Sequence, residues 1–127
     1  MIEGLFNQTN YVAAKRLLDA TALRQEAIAS NIANVETPHY KRVDVSPAFA
    51  NELKQALSSN DPARLATSQP QLAVDTTAVS QRKDGNTVDL ESELMRMNQN
   101  FLEHQLETQI VSGNMLKLRM AITGRPS

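Results

Sequence analysis

Two histidines, His39 and His104, and three aspartates, Asp75, Asp84 and Asp89, are the side chains of this sequence best suited to acid–base or metal chemistry. Their spacing argues against both. Neither histidine has a second histidine at HxxxH spacing and the chain has no cysteine, so the usual zinc ligand sets are not assembled along it. The aspartates fall at turns and at a helix start, where a carboxylate already serves as a cap. No GxSxG elbow, phosphate-binding loop or dinucleotide fingerprint occurs. A chain with so little apolar material in its middle would also struggle to preorganise a reactive constellation. The expectation is a protein with no catalytic residues, no cofactor, no metal and no small-molecule ligand.

The informative spacings belong to amides and aromatics. Asn31 and Asn34 share a helix face at i, i+3, where asparagine is unfavourable unless its amide finds partners. Asn31 is thus a candidate to hydrogen-bond a neighbouring helix or loop. The simpler alternative leaves it solvated, with Asn34 only closing the helix. Thr37-Pro38-His39-Tyr40-Lys41-Arg42 is a candidate contact loop, with Tyr40 as anchor and Lys41 and Arg42 reaching a neighbour's helix terminus or carboxylate; an exposed turn is the alternative. Met95, Met97, Met115 and Met120 read as adaptable packing rather than a cofactor box, and Phe101 as a buried anchor.

The elements that must position these residues are two terminal helices. The first runs from about Tyr11 to Val35, with Tyr11, Ala14, Leu18, Thr21, Gln25, Ile28, Ile32 and Val35 in heptad register and a second stripe of Ala13, Leu17, Ala20 and Ala27. Thr37-Pro38 ends it, and Asn34 suits the left-handed closing position. The second begins after the turn Asp84-Gly85-Asn86, with Asp89 as N-cap. It carries Leu90, Leu94, Met97, Phe101, His104, Thr108, Val111, Met115, Leu118 and Ile122 at heptad spacing, flanked by Leu102, Leu106 and Ile110. Gly124 and Pro126 stop it. Helices of roughly 37 and 50 Å result, each too wide in its apolar surface for the other to cover.

Between them, residues 37–87 are interrupted by Pro38, Pro47, Pro62 and Pro70, with a short helix possible at Pro47 to Leu57 and a strand at Gln71 to Asp75. Three Phe, two Tyr and no Trp leave little for a core. The expected organisation is therefore an N-terminal helix over 1–36, a mobile or partner-ordered middle over 37–87 and a C-terminal helix over 88–127, in a monomer only partly folded. A formal net charge of -1 gives no field to attract nucleic acid or an anionic membrane. The residues MIEGLFNQTN lack the basic and apolar regions of a secretory signal, and no stretch approaches the roughly 18 apolar residues of a membrane span.

The string Ser30-Asn31-Ile32-Ala33-Asn34-Val35-Glu36-Thr37-Pro38-His39-Tyr40 resembles the SNIANxxTPGY signature of the flagellar rod and hook axial proteins. Asp84-Gly85-Asn86-Thr87-Val88-Asp89-Leu90, with Glu93-Leu94-Met95, is similar to the DGNxVDxxxEM segment of proximal rod subunits within that family. His39 stands where the family usually has glycine, putting a positive-φ turn in doubt, and His104 where it usually has tyrosine.

The resemblance implies a mainly α protein whose terminal helices pack as an antiparallel, coiled-coil-like pair around an irregular middle with short β structure. It implies a structural subunit of the proximal rod, joining the export gate and the MS-ring/rod adaptor FliE to the rest of the rod, self-associating there and transmitting torque. It further implies passage through the flagellar type III apparatus without signal cleavage, to a periplasmic site. Its implied assembly contacts are Ile28, Asn31, Ile32, Asn34, Thr37, Pro38, Tyr40, Asp84, Gly85, Asn86, Asp89, Leu94, Met97, Phe101, Val111, Met115, Leu118 and Ile122. A coiled-coil adaptor or secretion chaperone, binding a partner helix in a groove, is the competing expectation.

Overall fold

The computed structural model describes residues 2–80 and 82–123, with side chains described over 9–80 and 82–113. Its elements are α1 (Ile2–Ala33), β1 (Val43–Val45), α2 (Pro47–Ser58), α3 (Pro62–Thr67), β2 (Leu72–Val74) and α4 (Leu90–Thr123). α1 begins well before Tyr11, because no proline precedes Pro38 to stop it; the polar run Asn7-Gln8-Thr9-Asn10 hides this extension from a reading of apolar period. Its other end departs from expectation as well. Among described non-glycine residues only His39 and Asn60 have positive φ, so Asn34 does not close the helix in the left-handed conformation. Asn34 instead donates its side-chain N–H to the Ser30 carbonyl at 2.8 Å, satisfying a last-turn acceptor.

The middle holds four short elements, β1, α2, α3 and β2. Ser46 caps α2 by accepting from the Ala48 amide, and Pro47 occupies the first turn, where its missing N–H costs nothing. α2 then buries Phe49, Leu53 and Ala56 on one face. A left-handed Asn60 turns the chain, Asp61 caps α3 through the Arg64 amide, and Leu65 is fully buried. α3 and β1 have too few residues to show a period, which is why neither is foreseen in the sequence. β1 and β2 pair antiparallel with Val43 opposite Val74 and Val45 opposite Leu72.

One core joins α1 to this middle: Ala13 and Ala20 pack with Phe49, Leu53, Ala56 and Leu65, with Val12 and Val45 at its edge. Small side chains on α1 let α2 and α3 approach its backbone closely, so a core with one aromatic ring still closes. α1 and α4 are antiparallel: Asn31, late in α1, meets Glu93, early in α4, while Thr21 meets His104 and Glu107. The faces that meet are unlike the apolar register of α4. Glu93 and Asn100 are buried, whereas Leu90, Leu94 and Phe101 are exposed. Asn100 donates to the Thr21 carbonyl at 2.9 Å and to Gln25 Oε1 at 3.3 Å. The Gly124–Pro126 stop lies outside the described residues.

Close packing at Ala20 gives a direct check. Ala20→Leu should lower unfolding stability by about 1–3 kcal/mol in urea titration, whereas Ala22→Leu, on the exposed face, should leave the midpoint unchanged.

Candidate assembly interface

The two sequence motifs meet each other. Asn31, fully buried, uses its amide as a peptide group: Nδ2 donates to the Val43 carbonyl at 2.9 Å, and Oδ1 accepts from the Val43 amide at 2.9 Å. The edge of β1 is thereby paired to a helix by one side chain. Nδ2 also donates to Glu93 Oε2 at 3.2 Å, reaching α4. Tyr40 lies beside it, its hydroxyl 3.0 Å from Ser30 Oγ and donating to Asn31 Oδ1 at 3.4 Å.

Arg42 is the charged centre. Only 3 % exposed, it donates from Nε to Glu93 at 2.7 Å, from Nη1 to Asp75 at 2.5 Å and from Nη2 to Asp44 at 3.2 Å. One guanidinium fork thus ties β1, β2 and α4 together. Burial alone would lower the Arg42 pKa, but the hydrogen bonds to Glu93 and Asp75 and the charges of Glu93 and Asp44 outweigh it and hold the pKa above its ordinary value. The Asp75 carboxyl is held below its ordinary value, first by the Thr77 hydroxyl, against burial, then by the Thr77 amide and by Arg42.

The segment 84–89 closes the end of α1. Asn86 Nδ2 donates to the carbonyls of Asn34, Val35 and Thr37 at 2.9, 3.1 and 2.8 Å, and its Oδ1 accepts from the Val88 amide at 2.7 Å. Arg82 Nη1 donates to the same Val35 carbonyl, so the orphan acceptors of the helix end are covered from another part of the chain. The loops run side by side: the His39 amide donates to the Asp84 carbonyl, the Thr87 amide to Tyr40 and Lys41 Nζ to Gly85. His39 keeps the positive φ that glycine would adopt, 63°, at a cost of roughly 1–2 kcal/mol. Facing it, Gly85 sits at φ +77°, and a Cβ there would come within 3.0 Å of His39 Nδ1. Asp89 precedes α4, its carbonyl accepting from the Glu93 amide and its carboxylate from the Ser92 hydroxyl.

Of the residues expected to make assembly contacts, Ile28, Asn31 and Asn86 are therefore buried inside the chain. Asn34, Tyr40, Asp84 and Gly85 are half-buried, and Ile32, Met97 and Val111 are also half-buried. Thr37, Pro38, Asp89, Leu94 and Phe101 are exposed, Phe101 by 59 %. The side chains of Met115, Leu118 and Ile122 lie outside the described residues. Lys41 and Arg42 bond within the chain rather than reach outward. What the sequence reading missed is the pairing of Arg42 with Glu93 and Asp75; the available signal was Glu93 lying between Leu90 and Leu94 on a side of α4 that the apolar register left unassigned.

α4 carries two exposed apolar stripes besides its polar face toward α1. Leu90, Leu94 and Phe101 form one, and Met95, Leu102, Leu106 and Ile110 the other. Among the described residues no helix is long and apolar enough to cross a membrane, and no cluster of three or more acidic or histidine groups could hold a metal.

The fold is an antiparallel helix pair, joined through a polar cluster, with two apolar stripes of α4 turned outward. Residues 11–41 match the family described as Flagella basal body rod protein. The chain is 31 % identical to the flagellar basal body rod protein FlgB of Borrelia hermsii, covering 86 % of this chain and 92 % of that one. It is 34 % identical to FlgB of Escherichia coli K12, covering 76 % and 80 %, and 34 % identical to FlgB of Salmonella typhimurium LT2, covering 83 % and 86 %. The chain belongs to the FlgB family of flagellar basal body rod proteins, structural components of the rod.

Two consequences are measurable. Arg42→Ala leaves Glu93 charged and buried, and should cost about 3–5 kcal/mol by chemical denaturation, with the Arg42→Met/Glu93→Leu double variant recovering much of it. Glu107 is the second: burial, with the neighbouring charge of Glu103, raises its carboxyl pKa and together they outweigh the Thr21 hydroxyl, His104 and Arg24, which lower it. A raised folded-state pKa favours the fold below the ordinary value of 4.5, and that stability is lost as pH rises through the folded-state value. Glu107→Gln should therefore melt higher than the parent at neutral pH, with the difference vanishing below pH 4.5.

Proposed function

We propose that this chain is a proximal-rod subunit that polymerises through α4, linking the export gate and the adaptor FliE to the rest of the rod and transmitting torque. The observation that carries this reading is the exposure of seven large apolar side chains on one helix: Leu90, Leu94, Met95, Phe101, Leu102, Leu106 and Ile110. Full burial of such a side chain is worth roughly 1.5–3 kcal/mol, and these are already partly covered, so docking neighbours still gains several kcal/mol in sum. Because the stripes lie on different sides of α4, one partner helix cannot cover both. A dimeric chaperone groove would cover one stripe and leave the other wet; a helical assembly surrounds the helix.

Contacts at Ile32, Leu94, Met97 and Phe101 belong to this proposal, as do a periplasmic site and export without a cleaved signal. Torque suits the polar junction, because the Arg42 cluster fixes the position of α4 relative to α1 at one end. In a host deleted for this gene, the parent gene should restore swimming and complete rods, seen by electron microscopy of isolated basal bodies. Phe101→Asp should fold with parental helicity yet leave rings without a rod. Normal rods with Phe101→Asp would contradict the reading.

A further inference from the structure

The two exposed stripes of α4 differ in what borders them. Met95, Gln99, Leu102 and Leu106 follow one another at steps of four, three and four residues and are all exposed, so they form the seam of a coiled coil on the solvent side of the helix. Arg96 and Glu103, each one residue after an apolar seam position, line one flank of it. Asn98 and Gln105 line the other flank. The stripe of Leu90, Leu94 and Phe101 has no such border, because Arg96 is the only lysine or arginine between Leu90 and Gly113.

A seam bordered by one cation and one anion, seven residues apart, matches its own copy run in the opposite direction. With Met95 set opposite Leu106 and Gln99 opposite Leu102 of a second copy, Arg96 comes beside Glu103 of that copy, Glu103 beside its Arg96, and Asn98 beside its Gln105. Run in parallel, Gln99 would stack on Gln99, Arg96 would meet Glu91, and Glu103 would be left with Asn98. Only the antiparallel register compensates both charges. Both are available to pair outward: the Arg96 and Glu103 side chains are 45 % and 55 % exposed, and inside the chain each has one long ionic contact, Arg96 to Asp44 at 3.9 Å and Glu103 to Arg24 at 3.5 Å. An open cleft of about 410 Å³, lined by Asp44, Thr76 and Thr77 together with Arg96 and Glu103, lies along this flank and leaves room for a second helix.

We propose that two copies of this chain pair antiparallel through α4, with Met95, Leu102 and Leu106 of each buried against the other and Arg96 bonded to Glu103 across a two-fold axis. A two-fold contact closes on itself, whereas the subunits of a helical rod repeat head to tail. The pair is therefore a waiting form, which covers one apolar stripe in solution and parts when the subunit adds to a rod. That role rests on the rod reading above; the pairing itself does not.

Sedimentation equilibrium of the full chain over a concentration series tests the pairing. The parent should show a reversible monomer–dimer equilibrium, and Leu102→Asp should stay monomeric with parental helicity. Arg96→Glu should raise the dissociation constant roughly tenfold, since two ion pairs become repulsive. The Arg96→Glu/Glu103→Arg double variant should return it to within about threefold of the parent, because the opposed charges are exchanged rather than lost. If Arg96→Glu unfolds beside Asp44, Glu103→Arg alone sets like charges against Arg96 of the other copy and should weaken the pair by the same factor. A parent that is monomeric at every concentration overturns the pairing and leaves the rod reading to the Phe101→Asp basal bodies. A dimer that Leu102→Asp leaves intact overturns this face, and a double variant no tighter than Arg96→Glu overturns the antiparallel register.

Discussion

Near the end of α1, the Asn31 carboxamide stands in for a strand, exchanging both hydrogen bonds with the Val43 backbone. The position of β1 against the helix follows from that exchange, and Arg42 is carried with it into contact with Glu93. Sliding α4 by one residue would leave a buried guanidinium without its carboxylate, which costs several kcal/mol. The register of the long helix is therefore set at this joint, and so is the choice of which sides of α4 face outward. Asparagine suits the task because it offers a donor and an acceptor on one planar group, as a peptide does. Aspartate would lose the donor.

Given that joint, the polarity of the α1–α4 contact follows. Glu93, Asn100 and Glu107 recur at seven-residue spacing toward α1, where they meet Asn31, the Thr21 backbone and the Thr21 hydroxyl. Polar contacts of this kind specify alignment and contribute modestly to stability, about 1 kcal/mol each. The larger apolar term is divided: part holds α2 and α3 onto the small residues of α1, and the rest stays on the outside of α4. The chain thus packs on itself through one face of α4 while apolar surface remains on the outside of that helix.

Much of this was legible in the sequence because long helices repeat their signal. α4 begins where Asp84-Gly85-Asn86 and Asp89 place it, and α2 where Pro47 does. The antiparallel direction was available only from family resemblance, since a linker of this length permits either. Three things were hidden. β1 and α3 are too short for periodicity to report. The ion cluster joins residues 42, 44, 75 and 93, whose proximity depends on three turns closing together. Most instructive is Asn31: its helix face and its need for a partner could be read, but the partner turned out to be the chain's own strand. Tyr40, Lys41 and Arg42 likewise bond inward, because the segment after Pro38 folds back along residues 84–87.

In the proposed rod, labour is divided: the polar motifs close the subunit on itself and the apolar stripes of α4 close the assembly. A side-chain-resolution map of isolated basal bodies would show this division. Arg42 should be bonded to Glu93 of its own chain, with Phe101 and Leu106 buried against helices of other subunits. Arg42 paired to a neighbour's carboxylate, or α4 stripes left facing solvent in the finished rod, would contradict it.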